Sequence, residues 1–128
     1  MRCLDSTYLI DLQEGIEGAV NLARSWEENG ERTAVPLPAY VEWLRGAYFC
    51  GGKFLAASMR LAENLEVLPI SIDTGQDAAR FGAETSRLGR ALSSSDLLIA
   101  AIARHHHAVL VTRDSGFAGL PGLPVESY

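Results

Sequence analysis

Short apolar runs alternate with longer helical stretches from one end of this chain to the other. That alternation constrains the fold more than any other feature. CLD (3–5), TAVPLP (33–38), EVLPISI (66–72), AVLVT (108–112) and PVES (124–127) read as strands, and AVLVT is rich in β-branched residues. Pro36 and Pro38 mark the exit of the second run rather than its centre, because proline cannot donate to a ladder. The stretches between them read as helices. TYLIDLQEG is capped by Ser6 or Thr7 and ended by Gly15, and IEGAVNLARSWEENG stops at Gly30. AYVEWLRGAYF follows, and Gly51 and Gly52 break the chain before KFLAASMRLAENL. Asp73 or Thr74 caps DTGQDAARFGAETSRLG, whose Ala78, Phe81, Ala83 and Leu88 can face a core, and SSSDLLIAAIARHHH is the most apolar helix. Strands separated by helices of this length require parallel crossovers and a sheet covered on both faces. The expected fold is a single α/β domain over residues 1–128, a three-layer α/β/α sandwich around a parallel sheet.

Composition bounds the function. A chain of 128 residues, 48% of them apolar, can bury a core without disulfides or structural metals. No apolar run approaches the roughly 18 residues of a membrane helix, and MRCLDSTYLIDL meets an aspartate too early for a signal peptide. A cytoplasmic location is the expectation. The two cysteines are too few for a disulfide framework; Cys3 falls in a strand and Cys50 in a helix or loop. A net charge of −5 counts against coating nucleic acid through phosphate neutralisation, though not against an enzyme that reaches the backbone through bound metal and a few arginines.

Four acidic residues stand at polar breaks beside apolar runs: Asp5 closing the first strand, Glu42 early in the helix after the second, Asp96 opening the most apolar helix, and Asp114 after AVLVTR. Carboxylates at the carboxyl ends of parallel strands can converge on one cleft although far apart in sequence. Such a cluster repels itself unless divalent cations occupy it, and oxygen-only ligation suits Mg²⁺ or Mn²⁺. Other α/β chemistries leave no trace. There is no GxGxxG after the first strand, no GxxxxGK[ST] and no GxSxG elbow, and the only lysine, Lys53, lies in a mid-chain helix rather than near a late strand.

LDSTYLIDL, the glutamate in PAYVEWLRGAY, SSSDLLIAAIARHHHAVLVTRD and the closing FAGLPGLPVE occur in this order across essentially the whole chain. Together they resemble the PIN-domain ribonucleases, and within them the VapC-type toxins of toxin–antitoxin pairs. The resemblance implies a Mg²⁺- or Mn²⁺-dependent endoribonuclease acting on single-stranded RNA. Its family aspartates and glutamate correspond to Asp5, Glu42, Asp96 and Asp114, and Ser6 and Thr112 match small polar residues that line the pocket. It also implies a homodimer and a small cognate antitoxin laid along a groove, with Trp26, Trp43, Tyr48 and Phe54 as anchors. There are two departures: Ser93, Ser94 and Ser95 stand where the family commonly has a second acid, and the segment after Asp114 is short.

Each residue also has a plainer reading. Asp5 or Asp96 can serve a helix N-terminus, Glu42 can be a solvated helix glutamate, and Asp114 can turn the chain. Asp11 reads as solvent-facing, and Asp73 and Asp77 as first-turn acids. His105, His106 and His107 point in different directions on a helix and suit its C-terminus better than a shared ion. Arg90 and Arg113 lie nearest the cleft in sequence and read as phosphate contacts or as solvated surface, and Trp43 reads as core. The rival to the nuclease is a PIN-like module that binds protein or RNA without cutting; a DNA nuclease of similar chemistry is a second rival.

Overall fold

All five expected strands form, the first shifted by one residue and the other four shorter than the runs that announced them. The computed structural model describes residues 1–128. The strands are β1 (Arg2–Leu4), β2 (Thr33–Pro36), β3 (Val67–Leu68), β4 (Val109–Val111) and β5 (Val125–Glu126). They make one parallel sheet in the order β3-β2-β1-β4-β5. Six helices flank it: α1 (Ser6–Gln13), α2 (Glu17–Asn29), α3 (Leu37–Cys50), α4 (Gly52–Ala62), α5 (Ile72–Arg87) and α6 (Ser94–His105). The three-layer α/β/α expectation is met.

The order of the strands places the functional cleft. The chain builds outward from β1 through β2 to β3, then returns across the sheet to lay β4 on the other side of β1. Cys3 therefore pairs with Ala34 on one side and Leu110 on the other. At such a reversal the two crossovers leave in opposite directions and open a crevice beyond the strand ends. Asp5 follows β1 directly and Thr112 follows β4, so both enter that crevice from adjacent strands.

The core explains why the helices lie where they do. Cys3, Leu4, Val35, Leu110 and Val111 from the sheet pack with Tyr8, Leu9, Trp43, Phe81 and Phe117. Ile99 through Ala103 of α6 are all buried, which matches the apolar character of that helix on every side. Pro36 ends β2 in register with Leu68, and Pro38 falls in the first turn of α3, where its missing N–H costs no helical bond. Gly30 ends α2 at φ 65°, in the left-handed region that glycine adopts without strain.

Two local expectations are corrected. Ser71, not Asp73 or Thr74, caps α5: its hydroxyl accepts from the Thr74 N–H at 3.1 Å while the Thr74 hydroxyl accepts from the Ser71 N–H at 2.8 Å. This reciprocal pair satisfies two otherwise orphaned groups, which Asp73 alone could not do. Ala83 and Leu88 are exposed rather than core-facing. The buried stripe of α5 runs through Thr74, Ala78, Phe81 and Thr85, a phase that turns Ala83 outward, and Leu88 lies past the helix end.

Candidate active site

Asp5 occupies the N-cap position of α1, yet its side chain makes no capping bond. Its carboxylate turns into the crevice and accepts hydrogen bonds from the hydroxyls of Thr112, at 2.7 Å, and Thr7, at 3.1 Å. The Asp5 N–H donates to the Val111 carbonyl at 3.1 Å, tying the start of α1 to the end of β4. Asp5 is 3% exposed and its partners are all neutral. Burial pushes its carboxyl above the usual carboxylate range; the Thr112, Ser6 and Thr7 hydrogen bonds pull against this, and the Glu42 charge adds to it.

Glu42 reaches the crevice from the second turn of α3. The Ser6 hydroxyl donates to its Oε2 at 3.1 Å, and the Ser95 hydroxyl donates to its Oε1. Three helix starts, α1, α3 and α6, thus meet at one carboxylate. Asp96 lies in the first turn of α6, where the Ser93 hydroxyl caps the helix by accepting from the Asp96 N–H at 3.1 Å. Its carboxyl is also pushed up, first by burial and then by the charges of Asp114, Glu42 and Asp5, against a hydrogen bond from Ser93. Asp114 caps the short 3₁₀ turn Ser115–Phe117 through the Gly116 N–H at 2.8 Å, and its own N–H donates to the Thr112 hydroxyl at 3.0 Å.

The structure therefore brings Asp5, Glu42 and Asp114 within electrostatic reach of Asp96. None of them forms an ion pair; Arg2, Arg32, Arg80, Arg113 and the N-terminus pair with other acids. A cluster of acids without a cation is what a hard divalent ion would stabilise, and every donor is an oxygen. In this conformation no group of three or more His, Cys, Asp or Glu side chains is arranged to hold an ion. Both oxygens of Glu42 are engaged by serine hydroxyls, and a cation would have to share them.

The match to a family model settles the kind of protein: residues 2–123 fit the PIN domain. The chain belongs to the PIN-domain family. PIN domains are nucleases, and a hydrolase of nucleic acid is the activity this membership supports. No curated protein sequence matches at a significant level. Among solved structures, this PIN domain resembles a chain of VapBC2 from Rickettsia felis, bound to a promoter DNA fragment, with TM-score 0.84 and 20% identity over 99% of this chain and 98% of that one. VapBC-1 from nontypeable Haemophilus influenzae gives TM-score 0.83 and 22% identity over 98% and 96%. A toxin–antitoxin complex from Klebsiella pneumoniae gives 0.74 and 26% over 96% and 95%.

Several residues around the PIN site differ from expectation. Asp11 is 6% exposed, not solvent-facing, because Arg113 folds over it with Nε at 2.7 Å and Nη2 at 3.1 Å, and the Tyr128 hydroxyl donates at 2.7 Å. Arg90 donates to the carbonyls of Gly116 and Ala118, both at 3.0 Å. Neither arginine is a free solvated side chain. Neither Ser6 nor Thr7 caps α1 as expected, since Asp5 takes the N-cap position, and Thr7 instead donates to Asp5. Ser95 is the contact whose role the sequence left unassigned, and its place in the first turn beside Asp96 is the signal that could have found it. Trp26 and Trp43 are buried and unavailable as surface anchors, whereas Tyr48 is 62% and Phe49 93% exposed. Phe54 lines a cavity of about 360 Å³ with Ile10, Glu14, Trp43, Gly46 and Cys50. No helix is long and apolar enough to cross a membrane.

Proposed function

We propose that this PIN domain is a metal-dependent endoribonuclease that cuts single-stranded RNA, and that it acts as the toxin of a toxin–antitoxin pair. The observation that carries this reading is the convergence of Asp5, Glu42, Asp96 and Asp114 on one crevice with no basic side chain paired to any of them. Asp5, Asp96 and Asp114, with Glu42, would hold Mg²⁺ or Mn²⁺. When bound, the ion supplies charge stabilisation to the scissile phosphate and lowers the pKa of an attacking water. The chain's own residues do the placing. Thr112 and Thr7 orient Asp5, Ser6 and Ser95 orient Glu42, and the start of α6 presents Asp96 with its helix dipole behind it. Asp114, exposed on its loop, is free to meet the substrate side of the site.

The partner reading rests on solved relatives that are VapBC complexes and on exposed apolar surface. Two apolar surfaces of α3 are suited to an apolar antitoxin segment: the cavity beside Phe54, and the opposite side, where Tyr48 lines a hollow with Tyr40, Val41 and Leu44. Ile70, Ile72 and Leu88 are exposed at the two ends of α5 and suit pairing with a second copy. Light scattering of the purified chain, alone and with the product of the adjacent reading frame, tests both; a monomer with no binder overturns them.

The nuclease is tested by cleavage of a mixed single-stranded RNA in Mg²⁺, Mn²⁺ or EDTA, beside Asp96→Asn and with single-stranded DNA as competitor. Metal-dependent cutting of RNA, lost in the variant, is expected. A cleavage-free binding module is favoured by one observation, the lack of any three side chains arranged to hold an ion. Folded protein that neither cuts nor binds Mn²⁺ would establish that reading instead.

A further inference from the structure

The loop that carries Asp114 is gripped from two sides by arginines. On one side, the Arg113 guanidinium makes its fork with Asp11 of α1, at 2.7 and 3.1 Å, and Tyr128 donates to the same carboxylate. The Arg113 N–H donates to the Thr7 hydroxyl at 3.2 Å, and Thr7 in turn donates to Asp5. On the other side, Arg90, from the segment between α5 and α6, holds the Gly116 and Ala118 carbonyls, both at 3.0 Å. Between these two grips, Asp114 binds the Gly116 N–H and leans on Thr112, which donates to Asp5.

Little else secures this segment. Arg113, Asp114, Ser115, Ala118 and Gly119 are exposed, and only Phe117 anchors the turn in the core. An exposed loop with few apolar contacts opens easily unless polar contacts hold it. A planar guanidinium that bridges two acceptors restrains both position and orientation, which an ammonium point charge does not. These internal contacts use Nε and Nη2 of Arg113 and Nη2 of Arg90, so each side chain is already fixed in place by the fold.

We infer that Asp11, Arg113 and Arg90 are positioning residues that hold Asp114 in register with Asp5 across the mouth of the crevice. The inference rests on the proposed reading of those carboxylates as the cation site. In that reading the arginines next to the cleft serve the acidic loop. Asp11 is the fixed point, since α1 is rooted in the core by Tyr8 and Leu9.

The test uses the full chain and the variants Arg113→Met, Arg113→Lys, Asp11→Asn and Arg90→Met. Mn²⁺ affinity is read by the EPR signal of free Mn²⁺, and amide exchange is read over residues 114–118, with β1 and α6 amides as internal controls. Arg113→Met and Asp11→Asn are expected to weaken Mn²⁺ about 10–100-fold, the range for residues that orient ligands from behind. They are also expected to speed exchange in the loop while the controls stay protected. Arg113→Lys keeps the charge without the fork and should recover only part of both, and Arg90→Met should give the same signs.

Unchanged Mn²⁺ affinity in folded Arg113→Met overturns the inference, whether or not exchange rises, because the contact would then be structural only. If Asp11→Asn fails to fold, Arg113→Met carries the test, since that side chain is 58% exposed. If the unaltered chain binds no Mn²⁺, it is the cation-site reading that fails. Loop exchange alone then decides the clamp: faster exchange in Arg113→Met keeps it, and unchanged exchange removes it.

Discussion

Asp5 and Asp11 are the same residue type, six positions apart, and almost equally buried at 3% and 6% exposure. Their carboxyls nevertheless move in opposite directions. Burial pushes both up. At Asp5 only hydroxyls and a backbone N–H oppose it, Glu42 reinforces it, and the carboxyl stays above its ordinary value. At Asp11 the Arg113 and Tyr128 hydrogen bonds and the guanidinium charge outweigh burial and hold the carboxyl below it. Six residues turn a helix by about 240°, so Asp5 faces the strand ends while Asp11 faces the tail and the β4 loop. Burial is shared; the partner decides. One aspartate has only neutral partners, and the other is paired with a guanidinium.

The largest effects should come from removing either charge. Asp5→Asn takes a proposed ligand from the cation itself, so cleavage should fall by about a hundredfold or more, beyond what orienting residues cost. Its metal-free fold should be at least as stable as the parent, because an amide leaves no uncompensated anion in the crevice. Asp11→Asn should do the reverse: measurable cleavage, but a loss of about 1–3 kcal/mol in urea unfolding. That figure lies below the full cost of breaking a buried pair because Arg113 is more than half solvated. Equal losses of stability in the two variants would break the contrast.

The contrast also predicts the pH dependence of the metal-free protein. Between the ordinary carboxylate pKa and the raised folded values of Asp5 and Asp96, the native state binds more protons than the unfolded chain. Their contribution is therefore fully present below the unfolded pKa, about 4, and is lost as pH rises through the folded values. Asp11 works the other way: its contribution is present above the unfolded pKa and is lost as pH falls through its lowered folded value. Urea midpoints measured across this range should decline on the alkaline side of the carboxylate pKa in the parent and flatten there in Asp5→Asn. Asp11→Asn should flatten the acid limb instead. Saturating Mn²⁺ should reverse the alkaline decline, since a bound cation favours the ionised acids.

The fold was legible because alternating strand and helix patterns admit few topologies, and the strands needed only their type, not their length, to be read correctly. The four acidic positions were legible from their places beside those strands and from the family motifs around them. What escaped was pairing across long stretches of sequence. Asp11 looked solvated because nothing near it in sequence covers it; Tyr128, which does, is 117 residues away, and Arg113 is 102 away. Arg90 and Arg113 read as phosphate contacts or as solvated surface because proximity in sequence to a cleft does not reveal which acceptors the side chain has already found. The triple serine read as a loss of acid. Ser93 instead caps α6, a local role, and Ser95 steadies Glu42, a role that depends on a helix from 53 residues upstream.

The smallest predicted effect concerns those hydroxyls. Ser95→Ala leaves Glu42 with the Ser6 hydrogen bond, and Ser6→Ala leaves it with that of Ser95. A carboxylate oxygen has lone pairs for both a hydroxyl and a cation, so the serines orient Glu42 more than they compete for it. Losing one such hydrogen bond should cost about 0.5–1.5 kcal/mol, which corresponds to about a 2–10-fold weaker Mn²⁺ affinity. The two losses share one carboxylate, so the double variant should exceed the sum of the singles as Glu42 is released altogether. Tighter Mn²⁺ binding in either single variant would mean that the hydroxyls hold Glu42 away from the ion. Glu42 would then stand nearer to Asp11 than to Asp5, as an acid whose partners already satisfy it.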